Sequence, residues 1–465
     1  MNAPEPKVIK MYAAREQIYP RETSGRYVNW RWACVWLTQL VFYGMPWLTW
    51  NGRQAVLFDL VARKFYIFGL VLWPQDFIYL AALLIVCAYL LFLVTAIAGR
   101  VWCGFACPQT VYTKIFLWIE TRIEGPRSAR MALDRQGHSL AKTWKKVAKH
   151  AAWGALSLWT GFTFVSYFTP LKVLDQEIFR LALGPWEFFW IVFYAFATYG
   201  NAGWMREQVC KYMCPYARFQ SAMFDHDTLI VTYDVARGEP RAPLSKKELT
   251  AGEAKKGDCI DCSLCVQVCP VGIDIRKGLQ YECIGCAACV DACNGVMDKV
   301  ERPRGLVRFS TDNALAQNLT PSQIRQRAMR PRVRIYCAIL LLIVGAVATS
   351  LYLRVPLKMD VIRDRGSMGR EVEFGMIENV YRLQIMNTTE RAQRYRISVS
   401  GVTSLSLSTP EEVSVGPTQT LALPVRLRAG PGTGKTGSNK IHITLQGLDD
   451  ASLHVTESAV FIVPR

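Results

Sequence analysis

Eight of the 15 cysteines fall into two groups that share one spacing. The spacing is C-x2-C-x2-C-x3-C, and the groups are Cys259, Cys262, Cys265, Cys269 and Cys283, Cys286, Cys289, Cys293. Because the two-residue spacers turn three thiolates inward, each group can hold three corners of a [4Fe–4S] cubane, while the fourth cysteine points at the other cubane. The spacing therefore assigns Cys259, Cys262, Cys265 and Cys293 to a first cluster, and Cys283, Cys286, Cys289 and Cys269 to a second.

Zinc is the alternative metal, since eight thiolates could hold two Zn2+ ions. Zinc sites usually lack a third cysteine at this spacing and the proline that follows it, here Pro270. Over about 40 residues the segment instead resembles a bacterial two-cluster ferredoxin, and Gly285, Ala287 and Ala288 are small enough to leave space for a cluster. The segment departs from the ferredoxin pattern at Asn294, where a second proline is expected, but ligation does not depend on that ring.

A second motif, C-x3-C-P, occurs at Cys103–Cys107 and again 107 residues later at Cys210–Cys214. Residues i and i+4 share one face of a helix, so we expect each pair on one helix face and all four thiols together where two helices end. Such a site suits a third cluster, a soft ion such as Cu(I), or a dithiol relay, and the alternative is that the cysteines only pack. We take as candidate catalytic residues, where an electron meets the metal, Cys103, Cys107, Cys210 and Cys214.

The composition places these motifs in a membrane protein. A net charge of +18, 51% hydrophobic residues and a mean hydropathy of +0.12 over 465 residues exclude a disordered chain and a single soluble domain. The isolated Cys34, Cys87 and Cys337 are predicted to pack as small residues in apolar helices. The short run Ile67–Trp73 is expected to lie at the membrane interface. Five stretches approach the roughly 20 residues that cross a bilayer: Trp32–Trp50, Phe77–Ala98, Val147–Phe168, Trp186–Trp204 and Ile335–Leu353.

Lysine and arginine alternate in abundance between the loops. They number six in Met1–Arg31, nine in Gly99–Lys146 and 20 in Met205–Arg334, but three in Asn51–Asp76 and two in Thr169–Pro185. Because positive loops stay in the cytoplasm, we predict a cytoplasmic amino terminus and a periplasmic carboxyl terminus. The basic excess is then a topology signal, which argues against nucleic-acid binding, and the dense cysteines suit a reducing compartment.

The predicted domains follow the chain. They are a cytoplasmic segment 1–31, a four-helix membrane domain 32–204 with both C-x3-C-P motifs, a cytoplasmic region 205–334 with an α+β ferredoxin domain at about 250–300, a fifth transmembrane helix 335–353 and a periplasmic domain 354–465. The linker Gly238–Lys256 is predicted to contain a short helix capped at Ser245, with Glu248 completing a capping box.

The last 110 or so residues have the two-residue period of half-buried strands, as in Tyr381–Ile385 and Lys440–Leu445. Breaks at Gly401, at Thr409-Pro410 and at Ala429–Gly432 separate the apolar runs. About seven short strands without cysteine predict an immunoglobulin-like β-sandwich. Its two histidines, His442 and His454, are interpreted as surface or core residues rather than ligands.

The order of five spans, two C-x3-C-P motifs, a double ferredoxin and a β domain resembles the cytochrome c oxidase accessory protein family called CcoG, FixG or RdxA, over essentially the whole chain. The resemblance implies a multi-pass, ferredoxin-type iron–sulfur protein of the bacterial inner membrane, which acts as a cupric reductase in assembly of cbb3-type cytochrome oxidase. It also implies copper ions, copper chaperones or transporters and oxidase assembly factors as partners beside membrane lipid, and leaves a homodimer open.

Three functions therefore remain. The first is a membrane metal reductase that turns Cu(II) into Cu(I). The second is an electron-transfer subunit that feeds a quinone or a partner enzyme, although such a subunit has no evident use for an external β domain. The third is a non-enzymatic redox sensor or assembly scaffold.

Overall fold

A computed structural model describes residues 17–243, 257–364 and 369–464. The helix predicted at Ser245 with Glu248 lies outside these residues. The chain divides into two compact units, one of Met1–Leu48 and Leu83–Leu342 and the other of Thr49–Ala82 and Ile343–Arg465.

The α-helices vary widely in length. In chain order they are α1 (Arg26–Gly44), α2 (Phe77–Ala98), α3 (Val101–Phe105), α4 (Pro108–Glu124), α5 (Arg127–Arg135), α6 (Leu140–Val165), α7 (Leu171–Phe179), α8 (Pro185–Thr198), α9 (Pro215–Met223), α10 (Val235–Gly238), α11 (Leu264–Gln267), α12 (Ala288–Lys299), α13 (Asp312–Gln317), α14 (Pro321–Ala328) and α15 (Pro331–Tyr352). π-Helical turns at Tyr199–Met205 and Val209–Met213 carry the chain from α8 to α9.

Within the described residues, two helices are long and apolar enough to cross a membrane. They are Pro74–Ala98, with 25 residues and a mean hydropathy of 2.8, and Pro331–Tyr352, with 22 residues and a mean hydropathy of 2.2. Their length matches a hydrocarbon core of about 30 Å, and they indicate that the chain is associated with a membrane. The other three expected spans fall on α1, α6 and α8, and the five-span topology stays a prediction.

Two short strands, β6 (Ile230–Tyr233) and β7 (Val307–Ser310), bracket the eight clustered cysteines in the sequence. They pair antiparallel, with Val231 opposite Phe309. Their inward residues form a buried core with α11, α12 and the loops between them, made of Val231, Tyr233, Cys265, Ile275, Ala287, Val290, Val296, Met297, Leu306 and Val307. This α+β core holds both cysteine loops in place.

The second unit contains a two-sheet β-sandwich. One sheet has the order β12-β14-β10-β8, with β9 paired to β10, and the other has the order β13-β11-β15-β16. The period-two prediction is confirmed, because Tyr381, Leu383 and Ile385 are buried while Arg382 between them is exposed. The strands are β8 (Leu357–Arg363), β9 (Arg370–Glu371), β10 (Ile377–Asn387), β11 (Gln393–Ser400), β12 (Ser406–Leu407), β13 (Glu412–Val415), β14 (Thr420–Ala429), β15 (Gly437–Gly447) and β16 (His454–Val463).

The expected count of about seven strands is wrong, since the described residues form nine. The two extra strands, β9 and β12, have two residues each, and a period of two cannot be recognised in so short a segment.

The loop between α1 and α2 forms small sheets and packs within the second unit. Its strands are β1 (Thr49–Trp50), β2 (Arg53–Gln54), β3 (Val56–Asp59), β4 (Lys64–Ile67) and β5 (Leu70–Leu72). The run Ile67–Trp73 therefore contains a strand, and its Val71 and Trp73 are buried against Met386 of the sandwich. Asp76 forms ion pairs with Arg354, at 2.7 Å, and with Lys358.

Candidate iron–sulfur and relay site

The eight clustered cysteines line two separate cavities. The first, of about 370 Å3, is lined by Cys259, Cys262, Cys265 and Cys293. The second, of about 340 Å3, is lined by Cys269, Cys283, Cys286 and Cys289, with Cys265 in the wall between them. These are the two sets that the spacing assigns to the two clusters, so the structure brings the fourth cysteine of each group to the other group's cavity.

The two loops repeat the same backbone turn 24 residues apart. Asp261 and Ser263 have φ of 51° and 56°, and the corresponding Gly285 and Ala287 have φ of 65° and 57°. Such left-handed residues alternating with right-handed ones turn successive backbone amides to one side, which is the arrangement found around many iron–sulfur clusters. Each loop thus offers both inward thiols and inward N–H donors.

The cavities fit a cluster better than a single metal ion. In a zinc site four sulfurs lie about 2.3 Å from one point, and among the described residues no three His, Cys, Asp or Glu side chains converge in that way. Burial raises the pKa of the Cys265 thiol to about 12 and that of Cys293 to about 11. The thiolate ligands therefore form only when a metal displaces their protons, which couples assembly of the site to proton release.

The side chain of Asn294 has a structural role. Its Oδ1 accepts a hydrogen bond of 2.9 Å from the backbone N–H of Gly305, in the loop that leads to β7. The residue that replaces the expected proline thus ties the end of the second cysteine loop to the sheet.

The prediction that each C-x3-C pair lies on one helix face is wrong. Cys103 lies in α3, which ends at Phe105, and Cys107 is the N-cap of α4. Likewise Cys210 lies in the π-helical turn Val209–Met213, and Cys214 is the N-cap of α9. The reason is the proline after each motif, which is favoured at the first position of a new helix and cannot continue the previous one.

The four thiols are nevertheless neighbours. Burial raises the pKa of Cys103 to about 12, and the proximity of Cys107 and Cys210 raises it further. Burial likewise raises the pKa of Cys210 to about 11, with Cys107 and Cys214 adding to the effect. Both motifs therefore contribute to one buried cluster of sulfurs at the junctions α3–α4 and π-turn–α9.

This relay cluster, Cys103, Cys107, Cys210 and Cys214, touches the wall of the second cavity. Cys103 and Cys210 pack in the same apolar group as Cys269, Cys283, Cys286 and Cys289. A Cβ added to Gly104 would lie 2.8 Å from the carbonyl oxygen of Ile284. The structure thus places the C-x3-C-P thiols directly beside the second cysteine loop.

Two polar residues that sequence reasoning missed support this contact. Arg100 donates to the backbone carbonyl oxygens of Cys283, at 3.4 Å, and of Ala217. Gln220 is fully buried, and its amide lies 3.6 Å from the Sγ atom of Cys103. Arg100, three residues before Cys103, could have been noticed as a charge at the end of an apolar helix, but no sequence signal identifies Gln220.

Family models match three parts of the chain. A 4Fe-4S binding domain covers residues 80–126, a 4Fe-4S dicluster domain covers residues 205–312, and the IG-like fold at the C-terminal of FixG covers residues 347–464. The first two show that the chain has iron–sulfur binding domains, and the third confirms the immunoglobulin-like sandwich.

Several curated proteins are similar over most of their length. The nitrogen fixation protein FixG of Rhizobium meliloti is 39% identical over 428 residues, which cover 85% of this chain and 82% of FixG. RdxA and RdxB of Cereibacter sphaeroides are 38% and 37% identical, and each match covers 96% of this chain and 93% or 95% of the relative. The crystal structure of a FixG-related protein from Vibrio parahaemolyticus matches 23% of this chain and 95% of its own, with 29% identity and a TM-score of 0.22. With relatives of this identity and coverage, the chain belongs to the FixG/RdxA/RdxB family of ferredoxin-type iron–sulfur proteins.

Proposed function

We propose that this protein is a membrane iron–sulfur oxidoreductase that reduces Cu(II) to Cu(I) for assembly of a cbb3-type cytochrome oxidase. The observation that carries the proposal is the contact between the relay cluster and the second cysteine loop, at Gly104 and Ile284. It sets soft thiol ligands beside the site of a redox cofactor.

Each cavity would hold one [4Fe–4S] cluster on the four cysteines that the spacing assigns to it. A cluster of this kind supplies one electron at a time, which is the stoichiometry that the reduction of Cu(II) to Cu(I) requires. The protein excludes water around the second cavity with Val271, Ile273 and Ile284, which are all buried.

The relay cluster would favour the product of the reaction. Thiolates are soft ligands and prefer Cu(I), so a copper ion held by these sulfurs is easier to reduce. The alternative that they hold a third iron–sulfur cluster is supported by the 4Fe-4S binding domain model, whose residues 80–126 include Cys103 and Cys107. Either arrangement uses Gly104 and Arg100 to keep the relay cluster against the second loop.

The membrane topology that we propose has five spans, with α1, α6 and α8 crossing beside the two apolar helices. In support, large apolar side chains on these three helices face outward; Leu40, Trp159 and Phe196 are 72%, 44% and 74% exposed. This is what lipid-facing helices show, whereas soluble helices bury such residues.

The proposed sidedness, an inner-membrane protein with a cytoplasmic ferredoxin and a periplasmic sandwich, is supported by which segments pack together. The loop before α2 packs on the sandwich, through Trp73 on Met386 and through Arg53, which pairs with Glu390 at 2.7 Å. The segment before α1 binds the ferredoxin, where Arg21 donates its backbone N–H to the carbonyl oxygen of Gln267 at 2.8 Å. Both contacts join segments that the charge asymmetry assigns to one side of the membrane.

The proposal is tested by replacing Cys107 and Cys214 with Ser in the full-length protein. We expect the low-temperature EPR signal of the reduced ferredoxin clusters to persist, while the rate of Cu(II) reduction per intact cluster falls at least tenfold. A matched control replaces Cys34 and Cys87, which lie outside the relay cluster, and should leave the normalised rate unchanged.

An unchanged normalised rate in the Cys107→Ser/Cys214→Ser variant would show that these thiols only pack, and that the metal meets the electron elsewhere. A protein that never reduces excess Cu(II) beyond its own stored electrons would be a sensor or scaffold, and the oxidoreductase proposal would fail.

A further inference from the structure

A solvent-open cavity of about 1250 Å3 lies in the first unit, beside the second cysteine cavity. Its walls come from the segment that leads into α1, from α1 and α4, and from the turn that contains Cys210. Val271 and Ile284 line this cavity as well as the second cysteine cavity. A molecule bound here would therefore rest against the loop that encloses the proposed second cluster. Its size is sufficient for a ligand, since small-molecule sites typically enclose about 300–1,000 Å3.

Cations outnumber carboxylates on the wall of this cavity. Glu22 and Glu207 are its acidic residues. The basic residues are Arg21, Arg31, Lys114, Arg122, Arg130 and Arg206. The excess of positive charge favours an anionic occupant.

Two of these cations lack an acidic partner. Arg130 and Arg206 both pair with Glu120. Arg31 is only 7% exposed, and it donates to the carbonyl oxygen of Gly104 at 3.1 Å. Lys114 lies over the ring of Trp32, 4.7 Å from its centroid. Within the described part of the chain, neither Arg31 nor Lys114 forms an ion pair with a carboxylate.

The two unpaired cations are close enough to repel each other. Burial, with the charge of Arg31 as the second cause, lowers the pKa of Lys114 to about 7. Buried charges are normally paired, so a structure that holds two like charges side by side at the wall of an open cavity is completed by an anion that binds both.

We propose that this cavity binds the phosphate group of a small molecule or of a lipid, with Arg31 and Lys114 as its ligands. A guanidinium binds phosphate through two parallel hydrogen bonds, and a lysine adds a point charge. The indole rings of Trp32 and Trp118 line the same cavity, with centroids 6.3 Å apart, and offer a surface for an aromatic ring. A mononucleotide combines both features, whereas a headgroup supplies the phosphate alone. The inference concerns binding only, and it holds whether or not copper is the substrate.

The test uses the full-length protein in nanodiscs and two probes. In nanodiscs of phosphatidylcholine, flavin mononucleotide is titrated and its fluorescence is followed, with riboflavin as the probe that lacks the phosphate. In nanodiscs that also contain phosphatidylglycerol, native mass spectrometry counts the phosphatidylglycerol molecules that the protein retains. Each measurement is repeated with Lys114→Gln, with Lys114→Arg, which keeps the charge, and with Lys145→Gln, a control on the exposed surface of α6.

For a mononucleotide, we expect riboflavin to bind about tenfold more weakly than flavin mononucleotide, and Lys114→Gln to weaken the mononucleotide by about tenfold or more. Lys114→Arg should retain most of the binding, and Lys145→Gln should match the wild type. If the mononucleotide does not bind, retention of phosphatidylglycerol that Lys114→Gln abolishes assigns the phosphate to a lipid headgroup. Absence of both probes, or binding that Lys114→Gln leaves unchanged, would overturn the proposal.

Discussion

Gly104 lies against the backbone of Cys286: a Cβ added to Gly104 would come within 2.9 Å of both the Cα and the amide nitrogen of Cys286. The contact is reciprocal, because a Cβ on the neighbouring Gly285 would lie 3.1 Å from the carbonyl carbon of Arg100. Two glycines, one from each segment, thus allow the first C-x3-C-P motif and the second cysteine loop to approach backbone to backbone.

Replacing Gly104 with Ala should separate these two segments. The atoms that the new methyl group would meet belong to backbone, which cannot rotate away, so one segment must shift; overpacking of this kind typically costs about 1–3 kcal/mol. We expect the iron content to stay near that of the wild type and the rate of Cu(II) reduction per cluster to fall several-fold. Iron analysis and single-turnover kinetics measure the two quantities.

Gly154→Ala is the matched control, because a Cβ at this glycine of α6 meets nothing within 4 Å. It should leave the reduction rate unchanged and should stabilise the helix slightly, since glycine inside a helix costs roughly 0.5–1 kcal/mol relative to alanine. Equal rates in the two alanine variants would show that the contact at Cys286 has no part in electron delivery.

The cysteine spacing was sufficient to predict which thiols share a cavity, because two-residue spacers leave the backbone few ways to turn. The C-x3-C-P geometry was not predictable from the i, i+4 rule. Pro108 and Pro215 each start a new helix, so the second cysteine caps that helix instead of lying on the previous one. The neighbourhood of the four thiols was nevertheless predicted correctly, since it depends on both motifs ending at one junction.

Long-range polar contacts lay beyond the sequence. Gln220 reaches Cys103 across 117 residues, and no local pattern encodes that distance. The same holds for the loop before α2, where the sequence showed an apolar run from Ile67 to Trp73 but not the sandwich residue, Met386, that buries it. Alternation predicted the long strands of the sandwich well, because each of them presents one face to its core.

Chemical analysis of the purified protein should give about eight iron atoms and eight acid-labile sulfides per chain, because the two cavities would hold one [4Fe–4S] cluster each. About twelve of each would mean that the relay cluster holds a third cubane, and Cys107→Ser should then remove four iron atoms. Stoichiometric zinc without visible absorption would contradict the electron-transfer function altogether.

Reporter fusions should confirm the proposed topology. Alkaline phosphatase is active only outside the cytoplasm, so we expect activity when it follows Arg465 and none when it follows Lys299. The reason is the asymmetry of positive charge between alternate loops, together with the packing of the loop before α2 on the sandwich. A fusion within that loop, after Arg63, should be active as well. If the fusions after Arg63 and Arg465 differed, the two segments could not be on one side of the membrane.

Replacing Cys265 with Ser should remove one ligand of the first cavity and leave the four cysteines assigned to the second intact. We expect loss of about four iron atoms and of roughly half of the EPR signal, with copper reduction strongly decreased. Cys337→Ser, in the apolar helix α15, is the control and should keep the full iron content. Loss of both clusters in the Cys265→Ser variant would instead show that the two sites assemble only together.

The sandwich should lose stability in acid because of one buried carboxylate. Glu378 is only 1% exposed and accepts hydrogen bonds from Arg370, at 3.0 Å, and from Arg428, at 2.8 Å. Burial alone would raise the pKa of Glu378, but the two guanidinium groups outweigh it and hold the pKa below its usual value of 4.5. A folded pKa below the unfolded one stabilises the fold above about pH 4.5, and this contribution is lost as the pH falls through the folded value.

Glu378→Gln should therefore destabilise the sandwich near neutral pH, by about 1–3 kcal/mol given that both arginines are partly exposed, and should change little in acid. Hydrogen–deuterium exchange of β10 and β14 in the full-length protein, corrected for intrinsic exchange rates, measures the difference between pH 7 and pH 4. Glu412→Gln is the control, because its pair with Arg396 is more than half exposed on both sides and surface pairs contribute about 0–1 kcal/mol. If the two variants lost equal protection at pH 7, or if Glu378→Gln remained as sensitive to acid as the wild type, then the ion pairs of Glu378 would not be the origin of the acid sensitivity.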